Sequence, residues 1–318
     1  MIGLEAVYAL MGALTAGVAL VNLRDASNPR RYNNALFWGL WAVTFLAGSR
    51  LPDLVSGILL IAMVLVASVG KLGQGRAATT SGAEREASAR RWGNRLFAVA
   101  LVVPAVTLLG TLTLKRLHFG GAPLVDPKQV TLISLGLATV AALVVAIAVL
   151  RPPLRAPLRE ARRLLDAVGW AAVLPQMLAA LGALFALAGV GQVVSGLLGR
   201  WVPLDRPLVA VTTYTVGMAL FTMMMGNAFA AFPVMTAAVG LPVIVQRFGG
   251  DPAVMAAIGM LSGFCGTLMT PMAANYNVVP AALLELPDEH AVIRVQAPTG
   301  LLLLAVNTTL MYLLVFRR

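Results

Sequence analysis

Two short runs in the second half of the chain place polar, backbone-perturbing residues inside otherwise unbroken apolar sequence. The first is Gly226-Asn227-Ala228, which joins apolar arms at 208–225 and 228–245 with no charged residue between them. Gly226 tolerates the positive φ that a tight joint demands, and Asn227 is a good N-cap for the arm that begins at Ala228. The first N–H groups of that arm have no partner within the helix and carry the positive end of its dipole, which suits a carboxylate. The second run is Gly266-Thr267, Thr270-Pro271 and Asn275-Tyr276-Asn277, in the middle of an apolar segment at 253–284. Pro271 has no N–H and disrupts the carbonyl ladder behind it. Carbonyls freed near 266–270, with the hydroxyls of Thr267 and Thr270, are hard oxygen ligands suited to a sodium ion. Asn275 and Asn277 can cap the second half-helix and offer amides to a polar substrate. The expected substrate-binding residues are therefore Gly226, Asn227, Ala228, Asn275 and Asn277. The expected ion-binding residues are Gly266, Thr267, Thr270, Pro271 and Asn275.

Each feature also has a plainer explanation. The Gly-Asn joint suits a re-entrant hairpin that turns back near mid-membrane, but it also suits two full spans joined by a tight external turn. Thr270-Pro271 can be a simple proline kink. Gly259, Gly263 and Gly266 share a helix face and serve close packing as readily as chemistry, and the run Met223–Met225 reads as ordinary apolar packing.

The elements that must carry these runs follow from composition. Of 318 residues, 59% are hydrophobic and 12% charged, with mean hydropathy +0.85. Soluble domains carry about 25% charged residues. The charges collect in short segments between apolar runs of about 20 residues, the length a helix needs to cross about 30 Å of hydrocarbon. The runs do not alternate as barrel strands do. The fold expected is an all-α polytopic membrane protein. Ordinary spans are placed near 2–21, 35–47, 54–69, 96–114, 130–150 and 170–190. An interfacial helix follows at 191–201, then the hairpin (about 207–246), the broken helix (about 253–285) and a last span at 299–316. Residues 1–150 read as a scaffold with a flexible cytoplasmic loop at 71–95, residues 151–169 as an interfacial cytoplasmic arm, and 170–318 as a transport half-repeat. In that arm Leu158, Leu164 and Leu165 can share one face while Arg159, Arg162 and Arg163 spread toward anionic headgroups.

Orientation follows from the positive-inside rule. With the Arg30/Arg31 loop in the cytoplasm, the first six spans place 14 Lys and Arg inside against 4 outside. The N-terminus is then expected in the periplasm and the chain in a bacterial inner membrane. Helix-end charges of this kind account for the net +11 without nucleic acid. One cysteine, Cys265, and two scattered histidines, His118 and His290, build neither a disulfide nor a metal site. No His-Glu-x-x-His, intramembrane carboxylate pair or Ser/His/Asp set points to an enzyme. Neither 208–245 nor 253–284 contains an ionisable Asp, Glu, Lys, Arg or His, which favours sodium over protons as a coupling ion.

The stretches Met225-Gly226-Asn227-Ala228-Phe229-Ala230-Ala231-Phe232-Pro233 and Gly263-Phe264-Cys265-Gly266-Thr267-Leu268-Met269-Thr270-Pro271-Met272-Ala273-Ala274-Asn275-Tyr276-Asn277 resemble a bacterial membrane family. That family is uncharacterised, and its members are assigned as one subunit of a two-component 5-oxoproline (pyroglutamate) permease. The resemblance covers essentially the whole chain and implies import of a small carboxylate with a second, smaller membrane subunit. More distantly, the layout is similar to the second half of ion transporter superfamily carriers, in which a Ser-Asn-Thr hairpin tip precedes a broken helix. Here Gly226 and Ala228 stand where that motif has hydroxyls, so only Asn227 carries over directly. Such carriers use two inverted repeats, and this chain shows one hairpin and one broken helix. A non-transporting assembly subunit, or a carrier of gluconate or a dicarboxylate, are the alternatives.

Overall fold

The computed structural model describes residues 3–75, 81–119, 122–153, 155–284 and 286–317. Seven helical segments among them are long and apolar enough to cross a membrane. The chain is an all-α, multi-pass membrane protein. Extended structure among the described residues amounts to a two-residue antiparallel pairing of His118–Phe119 with Ala122–Pro123. The helices fall into two compact units, Met1–Asp166 and Ala167–Arg318.

The first unit contains α1 (Glu5–Leu23), α2 (Arg31–Ala47), α3 (Asp53–Ser68), α4 (Gly82–Trp92), α5 (Arg95–Thr113), α6 (Val130–Leu150) and most of α7 (Ala156–Val168). Helices α1 and α2 pair closely where Gly12 leaves room for Leu46, and α5 pairs with α6 where Gly110 leaves room for Ser134. Helix α4 departs from the expected flexible loop. Ser81 and Glu84 form a capping box, with Ser81 N donating to Glu84 Oε2 at 2.8 Å and Glu84 N to Ser81 Oγ at 3.2 Å. That Ser-x-x-Glu spacing satisfies two orphan N–H groups at once.

Helix α7 also differs from expectation. Leu158, Arg162 and Asp166 recur every four residues and so share one helical row, and this row docks inward. Leu158 lies over Gly17, Arg162 pairs with Asp25, and Asp166 Oδ1 accepts from Trp38 Nε1 at 2.9 Å and Asn22 Nδ2 at 3.1 Å. Arg162 is thus drawn into the protein rather than spread toward headgroups, and Leu164 is the exposed leucine. A buried carboxylate that accepts from Trp38 and Asn22 on the opposing helices outweighs a simple amphipathic division. Nearby, Asn34 holds the backbone of Gly73 at both ends, Nδ2 to the carbonyl at 2.7 Å and Oδ1 from the N–H at 3.0 Å.

The second unit contains α8 (Leu174–Leu187), α9 (Val190–Trp201), α10 (Pro207–Met225), α11 (Ala228–Met235), a π-helix (Thr236–Arg247), α12 (Pro252–Thr267), α13 (Val278–Leu283) and α14 (Ala291–Leu314). Helix α9 has 12 residues, about 18 Å, too short to span alone. Its Gly191 packs on Val234 and Ala237. Helix α10 runs antiparallel to α11 and the π-helix, as the contacts of Gly217 with Met235 and of Tyr214 with Thr236 and Gly240 require. The π-helix surrounds Pro242. In an α-helix the proline ring would strike the carbonyl four residues back, and the wider turn relieves this. The core between these helices is closed by Tyr214, Met218, Met235, Ile244, Met255 and Met311, all fully buried. Hydroxyl and amide contacts stitch it across helices: Thr215 with Thr308 at 2.8 Å, and Asn307 Nδ2 to Cys265 Sγ at 3.6 Å.

Asp166→Ala should lower stability by about 1–3 kcal/mol, because Trp38 Nε1 and Asn22 Nδ2 would lose their buried acceptor; thermal unfolding of the solubilised protein measures this. Asp25 supplies a pH test. Burial pushes its carboxyl up, but hydrogen bonds from Ser27 and the Arg162 guanidinium outweigh burial and hold it below its usual 3.8. Its contribution is therefore complete above that value and is lost as pH falls through the lower folded value. Asp25→Asn should flatten the acid limb of a stability–pH curve.

Candidate functional site

The two interruptions meet in space. Gly226 ends α10 in the left-handed region at φ +73°, and a Cβ there would overlap the carbonyl of Met272. The joint therefore lies directly against the break that follows α12. Gly266 abuts the backbone carbonyl of Ala219 in the same way, and Gly263 faces the Ala228 side chain, so the three small residues bring α12 against both arms of the hairpin. Thr270 closes the junction: its Oγ1 donates to the Met223 carbonyl at 2.8 Å and accepts from Met272 N at 3.2 Å.

The break is organised by Asn277. Its side chain is fully buried, and Nδ2 donates to the carbonyls of Thr267 at 2.8 Å and Thr270 at 2.7 Å. These are two of the carbonyls expected to face an ion. Asn277 sits at the start of α13, yet its side chain makes no cap there. It turns back instead to α12, because carbonyls released by Pro271 inside a membrane need a donor. Both protons of the amide are thereby used, which fixes the orientation of Oδ1 and leaves it buried with no partner. Thr222 Oγ1, on the last turns of α10, is likewise buried without a partner and lies 3.2 Å from where a Cβ on Gly263 would stand.

The remaining expected residues divide by exposure. Asn227 is half-buried and caps α11, its Oδ1 accepting from Phe229 N at 2.8 Å. Ala230 N and Ala231 N reach the Asn227 carbonyl, so much of the N-terminal donor set of α11 is satisfied locally. Ala228 is fully buried and its methyl group faces Gly263, a packing contact rather than an open one. Thr267 is buried with its hydroxyl donating to Phe264 O at 2.6 Å. Pro271, Asn275 and Tyr276 are exposed. Asn275 and Asn277 thus point to different surroundings, and the expected ion set of Gly266, Thr267, Thr270, Pro271 and Asn275 is split between buried and exposed positions. Thr222 was missed in the sequence because it reads as one more hydroxyl on an apolar arm.

Depth can be read along α14. Gly300 lies beside Cys265, Leu268 and Met269 at the end of α12, while Val315 accepts from Asp251 N at its start. The break is thus about 22 Å along α14 from Val315 and about 9 Å short of Arg294. The first arm, 19 residues of α-helix, is about 28 Å long; the second, with 12 of its 20 residues in the π-helix, is shorter than an α-helix of that many residues. The junction lies nearer the Arg294 end of α14 than its middle.

Residues 5–316 match the model of the family described as "Protein of unknown function (DUF979)". The chain belongs to that family. No curated protein matches its sequence. Among solved structures, the crystal structure of the Alcanivorax borkumensis YdaH transporter is similar at 17% identity, over 96% of this chain and 78% of that one, with a TM-score of 0.32. That is a weak overall likeness.

Gly226→Ala should destabilise the protein by about 1–2 kcal/mol from the left-handed φ alone, and further through Met272. Gly39→Ala, within α2 and with nothing within 4 Å of the added methyl, should be neutral or stabilising. Paired unfolding curves test the contrast.

Proposed function

We propose that this chain is a subunit of a secondary active transporter that imports a small carboxylate, with 5-oxoproline as cargo and a cation, sodium before protons, as the coupling species. The observation that carries this reading is the meeting of the Gly226-Asn227 joint with the Thr270–Asn277 break, about 9 Å along α14 from Arg294. Non-helical backbone at such depth is tolerated only against protein or a water-filled cavity. Here it lies beside two buried oxygens that lack partners, Asn277 Oδ1 and Thr222 Oγ1, and beside the exposed amide of Asn275. Unpartnered acceptors suit a cation or the N–H of a lactam, and exposed amide N–H groups suit a carboxylate.

The cation assignment shifts with the structure. Thr267 and Thr270 carbonyls already accept from Asn277, so Asn277 Oδ1 becomes the better oxygen ligand. A second, smaller membrane polypeptide would supply the other hairpin and broken helix, completing the pair of repeats such carriers use. By the charge rule the N-terminus is periplasmic and the membrane is the bacterial inner membrane. The competing reading is a non-transporting assembly subunit. It is favoured by how much of the break is satisfied internally, through Asn277 and Thr270.

Uptake of radiolabelled 5-oxoproline into vesicles, with and without the second subunit and with and without a sodium gradient, tests the proposal. Asn227→Ala and Asn275→Ala should each reduce uptake at least tenfold while the complex still assembles. Unchanged uptake in both would leave the assembly reading standing.

A further inference from the structure

The charge pattern of the second unit runs against that of the first. At one end of this unit, the chain termini of five elements converge. Arg247 Nη1, at the close of the π-helix, donates to the Leu204 carbonyl in the connector before α10 at 3.4 Å. Asp251, at the start of α12, joins Val315 at the end of α14. Phe248 and Phe316 meet edge to face at 6.3 Å. Arg206, Arg247 and Arg317 each lie within two residues of one of these contacts, and Arg200 lies one turn away on α9. All four arginines are exposed. Against them stand Asp205 and Asp251, and the Asp251 carboxylate is engaged by Ala253 N and Val254 N at the α12 N-terminus. At the opposite end, beside the break, Asp288 and Glu289 outnumber Arg294, which pairs with Asp288.

Chain tracing sets the sides. The arginine-rich segment 151–163 is cytoplasmic by the charge rule and leads into α8 and then α9, whose successive contacts, Gly182 with Ala230 and Gly191 with Val234 and Ala237, run away from the joint along the second arm. The break end then faces the cytoplasm and the arginine end faces out, where the rule disfavours arginine. A cationic outer rim that opposes the orientation signal needs another cause. A cluster of one sign concentrates mobile ions of the other sign and speeds their capture, an effect that fades with salt.

We propose that Arg200, Arg206, Arg247 and Arg317 form an outward-facing collar that collects small carboxylate anions from the external solution. The collar rests on the transport reading above and names the side and the charge by which the cargo is first held. It acts at long range, since the buried core from Tyr214 to Met311 separates it from the break.

The same cationic chemistry would hold phospholipid phosphates, and the test separates the two. A single cysteine is placed at Arg206 in a Cys265→Ser background and challenged with a membrane-impermeant maleimide in right-side-out and inside-out vesicles. Labelling from outside is expected; labelling only from the cytoplasmic side would overturn the collar. In parallel, Arg206→Gln/Arg247→Gln is compared with the parent for 5-oxoproline uptake at about 10 mM and about 500 mM salt, in vesicles made with zwitterionic or anionic lipid. The expected result is a KM at least threefold higher at low salt in both lipids, with the curves converging at high salt. Equal KM values at low salt would dismiss the collar and leave transport intact, as would a change seen in anionic lipid alone, which marks a lipid anchor. Absence of uptake by the parent itself would remove both proposals.

Discussion

Everything in the second unit depends on the need to satisfy carbonyls that Pro271 sets free inside a membrane. In hydrocarbon an unpaired peptide group costs several kcal/mol, so a broken helix survives only if something supplies donors. Asn277 does so for Thr267 and Thr270 with the two protons of one amide. Thr270 extends the arrangement to the hairpin through the Met223 carbonyl. The break is therefore a folded object in its own right, and the hairpin tip is seated on it rather than merely near it. The glycines at 226, 263 and 266 matter because any side chain there would force these two backbones apart.

The first unit solves a related problem differently. Its helices pack chiefly as two pairs, α1 with α2 and α5 with α6, and α5 itself buries no residue fully. What ties α7 and the segment at Gly73 to the α1–α2 pair is polar: Asp166 with Trp38 and Asn22, Arg162 with Asp25, and Asn34 with the Gly73 backbone. A charge pair this sheltered from water is weak evidence for stability in itself. Its value lies in specificity, since only one seating of α7 satisfies all of its members.

Much of this was legible in the sequence, and the boundary between what was and was not is physical. Span lengths and charge placement announce a polytopic helical protein because the bilayer constrains both. The Gly-Asn joint and the Thr-Pro break were visible because glycine and proline act on their own backbone. What Asn277 does was not visible, because an asparagine after a break can cap forward or backward with equal ease, and only the geometry of the freed carbonyls chooses. Arg162 was misjudged for the same reason: a partner more than one hundred residues away in sequence decides its direction. Helix α4 had a local signature, Ser81 with Glu84, hidden within a segment whose overall composition suggested a loop.

The π-helical arm has a consequence of its own. Twelve residues, Thr236–Arg247, follow the wider winding, and each wide turn contains more chain than an α-turn of the same height. Were one turn to tighten, the residues beyond it would advance by about 1.5 Å and swing by about 100° about the axis. The hairpin thus carries spare length in one of its two arms only.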